Sequence, residues 1–514
     1  MTGLFSAAPS FGARFGVAAL VVVLADFLFY GQPFGITVLL FAILLGAAVI
    51  ALHPTAFDAR VWAKPVALLA ALLPLAENVS ALSVSIALAA LVAFSLSLSG
   101  RLTQGLVRIV AQIGQFWLAA PFRFIRDFIR WRRTVRRFGR RRLRPAAIAV
   151  WVMPLTLGAV FLALFGAANP VIDYWLSQIN LMKLLNLIEL ARIAFWLFML
   201  AGVWAFLRPR LPRFPQRLAG VKDDLAKALP APDAERQVVE GIVFGRPAIL
   251  RALVVFNVLF AMQTGLDAAY LWGGVALPDG LSYAAYAHRG AYPLIVTALL
   301  AAGFVLAALR PGSATSADPT IRRLVYAWVA QNIMLVISSI LRLDLYIGVY
   351  ALTYWRIAAF VWMGLVAAGL ALIIARIALG KSNAWLSSAN LVTLSLTLYA
   401  CCFVNFAAMI ANYNVDHSLE MTGQGIPLDA WYVRSLGPGA FPALDRFFDH
   451  KEKTPDAGAV RELQSLRTSD EGRYRTLHRN WRAWSFRDWR LARYLDSKAS
   501  LVLPQPSLPN LPGR

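Results

Sequence analysis

The chain has 514 residues, 59% of them hydrophobic and only 15% charged. A soluble protein of this length would be nearer half apolar and a quarter charged, so a water-soluble globular enzyme is excluded. The formal charge of +23 comes from 50 basic and 27 acidic residues. In a soluble domain that excess would suggest a nucleic-acid footprint. In so apolar a chain, arginine held in loops has a topological explanation, and no nucleic-acid partner is expected.

Apolar runs of about 20 residues, enough to cross a hydrocarbon core of about 30 Å as a helix, recur along the chain. They predict spans at 14–30, 34–52, 63–79, 81–99, 146–168, 186–206, 250–272, 291–309, 323–341, 350–375 and 385–411. The pattern implies an all-α, polytopic transmembrane helix bundle of about eleven spans, with a small helical extramembrane domain at its C-terminus. Pro65, Pro74 and Glu77 interrupt the third run, which makes 63–99 the weakest part of the count. The first run follows neither a strong basic region nor a small-residue cleavage site and reads as an uncleaved anchor.

Basic residues cluster in alternate loops: 53–62, 100–145, 207–249, 310–322 and 376–384. Lys and Arg are retained on the cytoplasmic side, so the N-terminus is expected inside. Eleven crossings then put residues 413–514 outside. The organisation expected is spans 1 to 4 over 1–99, a cytoplasmic arginine-rich segment over 100–145, and spans 5 and 6 over 146–206. A cytoplasmic loop over 207–249, spans 7 to 11 over 250–412 and a periplasmic helical domain over 413–514 complete it.

The arginine-rich segment contains "RFIRDFIRWRRTVRRFGRRRLRP", with eleven arginines and one acid. On a helix, Phe124, Phe128, Trp131, Val135 and Phe138 form an apolar stripe, and Arg123, Arg126, Arg130, Arg133, Arg137 and Arg140 form the opposite one. Such a helix lies in a membrane interface, where anionic inner-leaflet lipids attract each arginine by roughly 1 kcal/mol. A docking surface for a cytoplasmic protein partner is the sharper reading of the same residues.

Ionisable and amide groups within spans are costly, and each marks a candidate site. Asp26 lies near the outer end of the first span. Glu189 and Arg192 are three apart in the sixth and within pairing reach along one face. Gln263 and Asp267 stand one turn apart in the seventh. Gln331 and Asn332 fall mid-span in the ninth, Arg356 begins the tenth, and Asn405 belongs to the last. His288 with Arg289, and Arg342 with Asp344, join from outer loops. Together they predict a polar cavity facing the periplasm. The bland alternatives are internal ion pairs, such as Asp267 with Arg342 or Arg356, and helix-bridging amides.

Catalytic signatures are missing. There is no phosphate-binding glycine loop, no HExxH and no GxSxG elbow. The five histidines are dispersed, and Cys401 with Cys402 are adjacent in an apolar run, so neither a metal site nor a disulfide is expected. No cofactor is expected either.

The blocks "ADFLFYGQPFG", "YAHRGAYPLIVTALLAA", "LRLDLYIGVYALTYWRIAAFVWMG", "CCFVNFAAMIANYNVDH", "YVRSLGPGAFPAL" and "WRAWSFRDWRLAR" resemble a family of bacterial polytopic inner-membrane proteins. It is catalogued as a domain of unknown function numbered 4173, related to one numbered 4153. The resemblance implies a bacterial multi-pass membrane protein and supplies no catalytic residues. The leading expectation is a non-enzymatic component of cell-envelope signalling or regulation, with a cytoplasmic or envelope protein as partner: the polar outer-facing cavity and the C-terminal domain receive an envelope cue, and the arginine helix passes it to a cytoplasmic partner. The alternatives are a secondary transporter using Asp267 and Glu189, and an envelope lipid- or polysaccharide-modifying enzyme with His288 as base.

Overall fold

The structure is a computed structural model. It describes residues 10–53, 59–138, 153–158, 160–162, 164–165, 189–210, 245–272, 296, 300, 303–304, 318–451 and 458–501. Every regular element among them is a helix; the only extended pairing there is one isolated bridge, between Ser418 and Ile426. Seven of the described helices are long and apolar enough to cross a membrane, and the chain is a multi-pass membrane protein. Two of the expected spans, 146–168 and 291–309, lie for the most part outside the described residues.

The chain divides into two compact units. The first takes in α1 (Phe11–Phe29), α2 (Ile36–Leu52), most of α3 (Ala59–Glu77), most of α4 (Ala81–Leu98), most of α5 (Leu106–Phe138) and α6 (Leu190–Leu207). Ser10 opens α1 by accepting from the Ala13 amide at 3.1 Å, an N-cap. Ala25, Leu28 and Phe29 of α1 bury against Val38 and Phe41 of α2 and Phe195 and Met199 of α6. Outward-facing residues such as Val23, Phe27 and Leu40 stay exposed, the pattern of a helix whose other solvent is lipid.

Neither Pro65 nor Pro74 ends α3. The turn into α4 is only Asn78–Ser80, where Ser80 and Ser83 exchange backbone-to-hydroxyl bonds at 2.9 and 3.2 Å. This reciprocal cap supplies partners for orphan amides at the helix start.

The second unit contains Leu73–Ile86, which is the end of α3 with Glu77 and the start of α4, together with α7 (Arg246–Asp267), α8 (Pro319–Tyr350), α9 (Tyr354–Ala378) and α10 (Asn383–Cys401). Ile249, Leu253 and Phe260 of α7 pack on Ile321, Val325 and Trp328 of α8. A π-helical turn, Ala268–Trp272, continues α7. The sequence reading placed Arg342 and Asp344 in an outer loop. Instead α8 runs unbroken for 32 residues, about 48 Å, because no Gly-Pro or turn cluster interrupts it, and both residues are helical.

A second correction concerns 385–411, expected as one span. The helix stops at Cys401, and Asn405 caps a new helix, α11 (Phe406–Asp416), by accepting from the Ala408 amide at 3.1 Å. The side chain thus does what short polar residues do best, substituting for a missing backbone partner. α11 then joins α12 (Ala430–Ser435), α13 (Phe441–Lys451), α14 (Gly458–His478) and α15 (Phe486–Leu501). Ala411 and Val415 share a core with Val433, Leu444, Phe447 and Leu463.

Candidate functional site

The expected polar residues occur in separate groups. In the first unit Arg192 donates to Asp26 through Nε at 3.0 Å and Nη2 at 2.5 Å, and Trp196 Nε1 donates to the same carboxylate at 2.9 Å. Glu189 is the residue that precedes α6 and stands 3.9 Å from Arg192. The i,i+3 pair read from the sequence is therefore secondary to a pair between helices. The guanidinium also lies 5.1 Å over the Tyr30 ring, a geometry that favours the cation.

In the second unit Arg342 donates to Asp267, and Gln263 donates to the same carboxylate at 3.0 Å. Asp267 is 0% and Arg342 4% exposed, so this pair is the most enclosed among the described candidates. The π-helical turn begins at the next residue, and such turns occur often at functional positions. Asn332 donates to its own helix at the Trp328 carbonyl, 2.8 Å away, and Gln331 is half-buried on the neighbouring face. Arg356 does not reach Asp267. It donates to the Tyr350 carbonyl at 2.5 Å and to that of Ala351, with its guanidinium 4.7 Å over Tyr346.

A cleft of about 470 Å³ in this region is lined by Ile347, Leu352, Ile357, Phe360, Phe406 and Met409, with Asp344 beside them. A neighbouring hollow of about 330 Å³ carries Asn414, His417 and Gln424. His288 and Arg289 lie outside the described residues. No group of three metal-ligating side chains occurs among the described residues.

Sequence reasoning missed a clamp. Glu77, at the end of α3, is buried, and it accepts from Arg487 at 3.3 Å and from Arg490. Arg487 also donates to the Cys402 and Val404 carbonyls, both at 3.2 Å. One arginine of α15 thereby covers the frayed end of α10 and holds the end of α3. The available signal was Arg487, Arg490 and Arg493 at helical spacing opposite Glu77, the sole acid of its loop.

The arginine helix also differs from its expected form. α5 begins at Leu106, and its inward face carries Gln112, Phe116, Ala120, Arg123 and Asp127, all buried. Arg123 is not on the outward stripe. It donates to the carbonyls of Ala205 at 3.3 Å and Phe116 at 3.2 Å and lies 4.2 Å over the Phe116 ring. Burial pushes its pKa down to about 10. Arg126, Arg130 and Arg133 are exposed, while the side chains of Arg137 and Arg140 lie outside the described residues. Part of the aromatic side meets protein: Trp131 stacks with Phe11 at 4.8 Å and Phe124 meets Trp204 at 5.4 Å, while Phe128 stays exposed.

A polar network crosses the C-terminal helices. Asp445 accepts from Arg467 at 3.1 Å and from the Tyr494 hydroxyl at 3.0 Å. Burial of Glu471 opposes its ionisation, but Arg467 and Arg475 outweigh it and lower the carboxyl pKa. His478 stands 3.4 Å from Asp488, whose hydrogen bond raises the imidazole pKa.

Residues 63–447 match the model of a family described as a domain of unknown function, DUF4153. The chain belongs to this family. No curated protein and no solved structure matches the chain. The DUF4153 match starts inside α3 and ends inside α13. It takes in Glu77, Asp127 and the Asp267–Arg342 pair, while Arg487 and Arg490 lie beyond it.

Proposed function

We propose that this DUF4153 protein is a component of cell-envelope signalling or regulation that works by conformational coupling rather than bond chemistry. The observation that carries this reading is the Glu77 clamp. It fastens α15 to the ends of α3 and α10, so displacement of the C-terminal helices would be felt by membrane helices. The exposed Arg126, Arg130 and Arg133 offer a surface for a cytoplasmic partner or an anionic leaflet.

The reading places the protein in a bacterial inner membrane with its N-terminus in the cytoplasm and its C-terminal helices in the periplasm. The start of α1 and the chain just beyond α2, α4 and α6 bring Arg14, His53, Arg101 and Arg208 within electrostatic reach of one another. So basic an end favours the cytoplasmic side. Glu77 and Cys402 both meet Arg487, which supports an even number of crossings between them. The order of the quoted blocks supports a place beside the sibling family numbered 4173.

Glu77→Gln tests the coupling. Charge-assisted bonds are worth about 1.5–3 kcal/mol each, so amide exchange in α15 should quicken on the order of tenfold, with altered protection in α3 and α10. Arg130, Arg133 and Arg137 changed together to Gln should abolish recovery of a cytoplasmic partner. Unchanged exchange in the first variant, or unchanged recovery and phenotype in the second, would sink the relay.

A secondary transporter is the second reading, favoured by the enclosed Asp267–Arg342 pair beside a π-helical turn. Intramembrane carboxylates of this kind serve proton relays. Proton- or sodium-dependent uptake into vesicles that vanishes in Asp267→Asn would favour it over regulation.

A further inference from the structure

Asp127 is a single carboxylate in a crowd of cations. It sits on the buried face of α5 and takes Arg208 at 3.0 Å and Arg210 at 3.6 Å, together with the Trp204 indole at 3.3 Å. Arg123, one turn back along α5, spends its donors on carbonyls. Arg101, beyond the end of α4, donates to the Pro209 carbonyl and presents its own carbonyl to Gln112 at 3.1 Å. Arg14 comes from the first turn of α1, where Phe11 packs 5.0 Å from Trp204. It lies within electrostatic reach of Arg101, Asp127, Arg208 and Arg210.

Five guanidiniums thus converge from four chain segments upon one acid, all within the first unit. Like charges so close repel, and partial burial weakens the solvent's screening of that repulsion. The arginine Nε of Arg14 is shut away from solvent with no hydrogen-bond partner. Arg208 and Arg210 remain 25% and 37% exposed at the side chain, which leaves the cluster a mouth. Burial and the neighbouring Arg210 hold the Arg208 pKa below its usual value. The planar fork of arginine matches phosphate oxygens in pairs.

We infer that Arg14, Arg208 and Arg210, backed by Arg101 and Arg123, form a binding site for a phosphoryl group, supplied by the headgroup of an anionic phospholipid. The site lies at the ends of α1, α4 and α6, where a bundle helix leaves the hydrocarbon and headgroups begin. Asp127 holds two of the arginines in place and leaves the net charge positive. The exposed arginines of α5 attract an anionic leaflet diffusely; this cluster holds one headgroup within it. The inference needs neither the regulatory nor the transport reading.

The test uses the full chain purified in detergent and reconstituted in nanodiscs, with native mass spectrometry to count retained phosphatidylglycerol. Arg14→Gln leaves in place the ion pairs of Asp127 with Arg208 and Arg210. Arg133→Gln, on the exposed face of α5, controls for general attraction to the leaflet. One arginine near an anionic lipid is worth about a five-fold change in occupancy. Phosphatidylglycerol should be retained by the parent chain and by R133Q and should fall by about that factor in R14Q. If millimolar inorganic phosphate displaces the lipid or raises the unfolding temperature as much, with the same R14Q sensitivity, the phosphoryl site stands and its source is free phosphate. Equal losses in R14Q and R133Q, or no retained lipid and no effect of phosphate, would overturn the site.

Discussion

Ala351 holds φ 65° and ψ 174° between α8 and α9, a backbone region that side chains rarely enter. The strain is maintained by Asn414, which accepts from the Leu352 amide at 2.7 Å and donates to its carbonyl at 3.0 Å. Ala351→Gly should raise thermal stability, by on the order of 1 kcal/mol, in a melt of the detergent-solubilised chain. His478 gives a pH signature. Its folded pKa is raised by Asp488, so its contribution is full below the ordinary imidazole range of about 6.5. That contribution is lost as pH rises through the raised folded value. A fall in melting temperature of the C-terminal helices across that window should flatten in His478→Gln. Neither effect was legible in the sequence: the alanine is unremarkable there, and Asp488 meets His478 only after the chain turns through Asn480–Ser485.

Among elements, α7 against α8 holds the sharpest contrast. Removing one partner of a buried ion pair costs about 3–5 kcal/mol, because the survivor is left charged in a poor solvent. Asp267→Leu alone should therefore destabilise strongly, and Asp267→Leu with Arg342→Met should recover most of the loss in a denaturation series. An additive double variant would show that the two side chains do not act as a pair. The sequence offered Arg342 and Arg356 as partners for Asp267 without deciding between them. The unbroken α8 decides, because it turns Arg342 into the core while Arg356 caps its own elbow. The same limit applies to α5. Helical periodicity gave Arg123 to the arginine stripe, but only packing against the end of α6 shows that its donors face carbonyls.

For the whole molecule the testable quantity is topology. Paired alkaline-phosphatase and fluorescent-protein fusions at Arg514 and at Ser316 should report an exported C-terminus and a cytoplasmic Ser316. A cytoplasmic C-terminus would mean that the number of crossings is even, and the Glu77 clamp would then face the cytoplasm. The helix ends already restrict the answer, because Arg487 touches both Glu77 and the Cys402 carbonyl.

By itself the amino-acid order determined the class of this protein. Hydrophobic runs of bilayer length leave helices as the available architecture, since backbone groups in hydrocarbon must find partners within their own segment. Alternating arginine supplies an expected orientation, and the apolar periodicity of 413–514 foretold helices beyond the last span. Tertiary structure decided which charges meet: Asp26 with Arg192, Asp267 with Arg342, Glu77 with Arg487 and Arg490, and Asp127 with Arg208 and Arg210. The reason is physical. Helix formation is local and can be read from spacing, whereas an ion pair depends on the rotation and contact of helices separated by tens to hundreds of residues.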